Sequence, residues 1–162
     1  MMINWKMICR IMGILLFIEA GFMSLCTLLS LYYKEPDLSA FIYSTLITIG
    51  AGIPFIYAGK GAGRKLNRRD GYIIVTFAWI AISIFGMFPY YFSGYIPTIT
   101  NAFFETMSGF STTGASILNN IESLPHALLF WRSLTQWIGG MGIVIFTIAI
   151  LPIFGVGGIQ LF

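Results

Sequence analysis

The sequence predicts an all-α membrane protein: a transmembrane helix hairpin, followed by one repeat of helix, re-entrant half-helix with an extended loop, and helix. Three observations carry this. Of the 162 residues, 57% are hydrophobic, 17% aromatic and 9% charged, against roughly 25% charged in soluble domains. Several apolar runs reach the ~20 residues that cross a bilayer as a helix. Between the last two runs lies a semi-polar stretch, Phe103 to Ser116 (FFETMSGFSTTGAS). Such backbone is tolerated beside hydrocarbon only where it lines a water-filled path or is buried in protein, because each unpaired peptide group there costs several kcal/mol.

The first span runs from Ile11 to Tyr33 behind Lys6 and Arg10 and ends at Lys34-Glu35-Pro36-Asp37. It is too long for a signal-peptide core, carries Glu19 and lacks a small-x-small cleavage site, so it is expected to be retained. Glu19 reads as a buried carboxyl hydrogen-bonded to a neighbouring helix, a proton relay being the sharper alternative. Cys9 and Cys26 sit at the start and middle of this one span with no metal-ligand spacing, and read as packing residues. The second span, Leu38 to Ala58, contains Gly50, Gly52 and Pro54, a kink signature. It closes the hairpin before the basic stretch Lys60 to Asp70. The chain accordingly divides at residue 70: the helix pair with its basic loop (1–70), then the repeat (71–162).

The third span, Tyr72 to Tyr91, ends near Pro89 and an aromatic cluster. The fourth starts at Pro125 and runs to about Leu151, where Pro152 stops it. At 1.5 Å per residue that helix is about 40 Å long and must tilt or project. The connection between these spans contains Thr98 to Met107, apolar and helix-compatible but only about three turns long, too short to cross. A half-helix that dips in and returns as a Ser/Thr/Gly strand accounts for its length and apolarity together. The final residues, Gly155 to Phe162, are uncharged, and the chain reads as stopping mid-protein.

A net charge of +3 is an orientation signal here. Lys6, Arg10, Lys60, Arg64, Lys65, Arg68 and Arg69 hold most of the basic charge, which belongs on the cytoplasmic side. The expected protein is multi-pass in the plasma (inner) membrane with a cytoplasmic N-terminus. The Lys34 to Asp37 turn and the Ser93 to Ser123 segment then lie outside, with Tyr90, Tyr91 and Tyr95 in an interfacial belt. A nucleic-acid partner is not expected, since a short juxtamembrane cluster needs only orientation to explain it.

The loop itself carries chemistry. A desolvated potassium ion is stabilised by rings of backbone carbonyls. In Thr112-Thr113-Gly114 the glycine opens backbone angles closed to other residues, and a threonine hydroxyl can add an oxygen. The half-helix before it aims its negative C-terminal end at the path, which favours cations. Two blocks extend the pattern: Ala102 to Ser116 (AFFETMSGFSTTGAS), and Leu124-Pro125-His126 followed by Trp131 to Gly142 (WRSLTQWIGGMG). With the basic loop and the leading hairpin, they resemble the Trk/Ktr/HKT superfamily of potassium transporters, in its TrkH/TrkG-like branch.

In that family four helix-pore-helix repeats in one polypeptide surround a single pore, preceded in the Trk branch by a helix pair. The resemblance implies that this chain is the helix pair plus the first repeat. It implies a transported K+ ion, no organic cofactor, and one quarter of a selectivity filter formed by Ser111, Thr112, Thr113, Gly114 and Ala115. The carbonyls of Thr112, Thr113 and Gly114 would face the ion, with Glu105 and Ser116 supporting them from behind. Ala115-Ser116 stands where strict potassium channels have Tyr-Gly, in keeping with the family's looser pattern. Implied partners are membrane lipid, the remaining repeats or other copies of the chain, and a ring-forming nucleotide-binding regulatory subunit of the TrkA/KtrA kind.

Other readings stand beside this one. The alternative function is a truncated, non-conducting membrane scaffold or regulatory fragment. An intramembrane serine protease would need Ser111 and His126 together, yet Ser111 lacks the following glycine of an oxyanion turn, so no enzyme is expected. Arg132 is expected to snorkel or to pair with Glu122. The Gly139-Gly140-x-Gly142 cluster is expected to allow close helix packing.

Overall fold

The computed structural model describes residues 3–63 and 68–150, without the side chains of 68–69 and 145–150. Arg64, Lys65, the side chains of Arg68 and Arg69, Pro152 and the Gly155 to Phe162 tail lie outside the described residues. The architecture is all-helical: α1 (Trp5–Tyr33), α2 (Leu38–Ala58), α3 (Arg68–Gly86), α4 (Phe88–Phe92), α5 (Ile99–Phe110) and α6 (His126–Ile150). Trp5–Tyr33, Leu38–Ala58 and Asp70–Phe92 are long and apolar enough to cross a membrane.

The first helix starts earlier than its apolar run because Asn4 caps it, its side chain accepting from the Met7 amide at 3.2 Å. That bond satisfies one of the donors a helix start leaves over. Its other end closes at Lys34, whose φ of 55° is left-handed. The Lys34 amide donates to Leu31 O and the Glu35 amide to Ser30 O, the usual way of satisfying terminal carbonyls. The chain then reverses within four residues into α2. The two helices approach closely at Gly13, where an added Cβ would meet Ile56 at 2.8 Å.

The third span is interrupted, where a continuous helix from Tyr72 to Tyr91 was expected. It breaks at Met87 between α3 and α4, because Pro89 has no amide to donate and its ring crowds the carbonyl four residues back. At the end of α3 the Gly86 carbonyl accepts from the Trp131 indole N–H at 2.9 Å. Half-helix α5 starts after Thr98 and runs to Phe110, 12 residues, extending further than Met107 and still too short to span.

Helix α1 packs along α2, α3 and α6, while α5 lies between α3 and α6. Phe41, Met23, Tyr90, Ile96, Phe110, Leu128 and Trp131 form the centre of the core. Facing outward are large apolar side chains such as Leu28, Tyr43 and Leu46. A water-soluble protein would bury these; a lipid-facing or protein-facing surface in a membrane need not. Glu19 departs from expectation. It is buried, and neither carboxyl oxygen has a hydrogen-bond partner among the described residues. It borders an apolar cavity lined from α1, α3, α5 and α6 and lies beside the Gly86 backbone.

Candidate functional site: the loop after the half-helix

Half-helix α5 ends in a tight reversal. The Ser111 amide donates to Met107 O, Thr112 to Gly109 O, and Thr113 and Gly114 both reach back to Ser108 O. Two residues take left-handed backbone angles, Thr112 at φ 56° and Gly114 at φ 73°. Glycine adopts this freely, whereas a β-branched threonine is strained there and is held by its surroundings. The hydroxyls of Ser111 and Thr113 meet at 2.9 Å. The Ser108 hydroxyl donates to the Ala115 carbonyl at 2.6 Å, pinning the loop to the helix it has just left. Residues 112–117 are exposed, although α5 behind them is mostly buried.

Glu105 organises the far end of the loop. Its side chain is 2% exposed. The Ser116 hydroxyl donates to it at 3.0 Å and the Ile117 amide at 3.1 Å. The Leu118 amide in turn donates to the Ser116 oxygen at 3.1 Å. From α6, Arg132 donates through Nε at 2.9 Å. A buried carboxylate needs such a set of donors to offset its desolvation. Arg132 therefore neither snorkels nor pairs with Glu122: an arginine at that depth finds a better partner in a desolvated carboxylate than in a solvated one. The residue types are local; the pairing needed α5 and α6 side by side.

Their contact is close for a visible reason. An added Cβ on Gly139 would overlap the Phe110 carbonyl, and one on Gly109 would overlap Thr135 Oγ1. Trp131 stacks edge-on against Phe110 with ring centroids 6.4 Å apart. Of the glycine cluster, Gly139 makes the closest approach, while added Cβ atoms on Gly140 and Gly142 would touch Thr112 and Trp79 at ordinary distances.

The residues of the hydrolase alternative have separate partners. Ser111 Oγ contacts Thr113 and Ser108, and His126 Nδ1 contacts Glu35 at 2.7 Å. Among the described residues no cluster of three or more His, Cys, Asp or Glu side chains could hold a metal ion. Oxygen donors at the loop are carbonyls and hydroxyls, the set suited to an alkali cation.

Residues 39–162 match the family model TrkH, described as a cation transport protein. The chain belongs to the TrkH family. It is 40% identical to the Trk system potassium uptake protein TrkH of Salmonella typhimurium over 98% of its own length, and 39% identical to that of Escherichia coli over the same share. With the Escherichia coli Trk system potassium uptake protein TrkG it shares 37% identity over 82% of its length. The crystal structure of the potassium transporter TrkH from Vibrio parahaemolyticus superposes with a TM-score of 0.88 at 32% identity, covering 98% of this chain and 34% of that one. The chain thus spans about a third of the length of the relatives it matches. These relatives are named as transporters, and the all-helical fold is theirs.

Proposed function

We propose that the chain serves potassium uptake across the plasma (inner) membrane, supplying one wall of the ion path in a Trk-type system. The relatives' names support the transported ion. The loop geometry supports the place: an exposed backbone segment follows the C-terminal end of a buried half-helix, whose partial negative charge favours a cation. In this reading Thr112, Thr113 and Gly114 present carbonyls to K+, flanked by Ser111 and Ala115, as one quarter of a filter completed by further repeats or by other copies. Glu105 and Ser116 support them. The single observation that carries the reading is the buried Glu105 carboxylate tying α5, the loop and α6 into one unit. That investment in holding a solvent-exposed loop has no packing purpose of its own.

Basic residues at the start of α1 and after α2 support a cytoplasmic N-terminus, and inward K+ movement then follows the membrane potential, worth about 2.3 kcal/mol per charge per 100 mV. The helix pair (1–70) and the repeat (71–162) are taken as the two units. A ring-forming nucleotide-binding subunit at the cytoplasmic face is the proposed regulatory partner.

The test is growth on low potassium of a bacterium lacking its own potassium uptake. The chain is expressed alone and together with the remaining repeats of a TrkH relative. Rescue by the combination, and its loss with Gly114→Arg, is the expected result. Unchanged rescue with Gly114→Arg overturns the filter assignment, and absence of rescue in every combination favours the non-conducting scaffold.

A further inference from the structure

The turn between α1 and α2 also holds the start of α6. Glu35, 13% exposed at its side chain, accepts from the His126 amide at 2.8 Å and the Ala127 amide at 3.2 Å. It meets His126 Nδ1 at 2.7 Å. The imidazole lies flat on Tyr33, ring centroids 4.4 Å apart and planes 9° from parallel. A residue of the helix pair thus satisfies two donors that the first turn of α6 leaves over, at the end of the helix where negative charge is favoured. Less than two turns on, Arg132 of the same helix grips Glu105, which holds Ser116 and Ile117.

His126 is the only histidine in the chain, and histidine is the side chain whose charge ordinarily changes between pH 5 and 8. We propose that Glu35 is a positioning residue for the 111–117 loop, acting through α6, and that a proton on His126 tightens its hold. The significance of the loop rests on the ion-path reading; the mechanical link does not. With a neutral ring, the Nδ1–H tautomer donates to Glu35 as one neutral donor. With a charged ring the same contact becomes an ion pair between two full charges, which strengthens it further.

Other charged or titratable groups near this contact are few. Tyr33 lies under the ring on α1, and the turn contributes Lys34 and Asp37, the latter buried and accepting from Ser30. The segment before α6 contributes Glu122, which is exposed, and α6 contributes Arg132, already engaged by Glu105. The carboxylate facing the imidazole is Glu35. The His126 side chain is 65% exposed, so the effect is modest and weakened by salt.

The experiment uses the chain in lipid nanodiscs with 15N-labelled histidine, whose two ring-nitrogen signals, from the chain's one histidine, report the charge on His126. Hydrogen exchange at the Ile117 amide, corrected for intrinsic rate, reports the loop. Protection of Ile117 is expected to fall about threefold as the ring loses its proton, along the same pH curve. The dependence should vanish in His126→Gln and in Glu35→Gln, and shrink in high salt. A flat profile in the parent protein, or one that persists in His126→Gln, overturns the proposal even if Glu35→Gln fails to fold. Failure of the filter assignment in the growth test leaves these observables untouched, so the two ideas fall separately.

Discussion

Arg132 on α6 and Glu105 on α5 form an ion pair of 2.9 Å in which the carboxylate is 2% exposed and the arginine 20%. The same carboxylate receives the Ser116 hydroxyl and the Ile117 amide. One buried group therefore sets the distance between two helices and the path of the loop after one of them. Breaking the pair from the arginine side leaves the charge with neutral donors alone.

For that reason Arg132→Met is expected to destabilise the fold by about 3 kcal/mol or more, the cost of stranding a buried charge. Glu105→Gln, which keeps an acceptor for Ile117, should cost less. The double variant should recover much of the arginine loss. Equilibrium unfolding in mixed micelles measures the three, and strict additivity of the two single costs would contradict the direct pairing.

Gly139→Ala tests the α5–α6 contact. Its Cβ would overlap the Phe110 carbonyl, whereas one on Gly21 would meet nothing within 4 Å. Overpacking at the first site should cost about 1–3 kcal/mol. The same change at Gly21 should be neutral or stabilise by up to about 1 kcal/mol, since alanine is the better helix former. Equal effects at the two positions would mean that α5 and α6 are not in close contact.

Thr112 at φ 56° gives a third prediction. Asparagine accepts left-handed angles at low cost and isoleucine does not. Thr112→Asn should leave stability nearly unchanged, while Thr112→Ile should lose about 1–2 kcal/mol. Thermal unfolding compares them, and a tolerated isoleucine would show that the backbone there is not left-handed.

Two carboxylates in the α1–α2 turn should respond to pH with opposite sign. Burial works to raise the Glu35 carboxyl, but the His126 and Ala127 amides and the imidazole outweigh it, and Glu35 lies below its ordinary range. Its stabilisation is present above the unfolded-state value and is lost as pH falls through the folded one. For Asp37, burial dominates over the Ser30 hydrogen bond and raises the carboxyl. Its effect is favourable below the unfolded-state value and is lost as pH rises through the folded one. Glu35→Gln should therefore remove part of the acid-side loss of stability. Asp37→Asn should raise stability at neutral pH relative to the parent, because one Asp37 oxygen is buried without a donor among the described residues. Stability measured across the carboxylate range separates the two signs, and parallel shifts in both variants would contradict the assignment.

Much of this was legible in the chain because lipid is a severe selector. Apolar runs near twenty residues, a half-length segment and a polar interruption leave little choice but spans and a re-entrant helix. The limits of α2 coincide with its apolar run, Leu38 to Ala58, and α5 starts just after Pro97-Thr98, local signals that need no tertiary context. The break at Met87 was half visible, in Pro89. Arg132 was misplaced and Glu19 was given a partner it lacks among the described residues, because a charged residue's neighbour within a helix bundle depends on packing that no local pattern encodes.

The sequence by itself determined the class of protein, the order of its helices and the semi-polar stretch on which the family resemblance rests, since composition and hydropathy act locally against the bilayer. The tertiary structure decided which side chains meet. Glu105 with Arg132 and Glu35 with His126 are 27 and 91 residues apart. Such contacts exist only once the glycines have let the helices close and the buried charges have found each other in a medium that penalises leaving them alone.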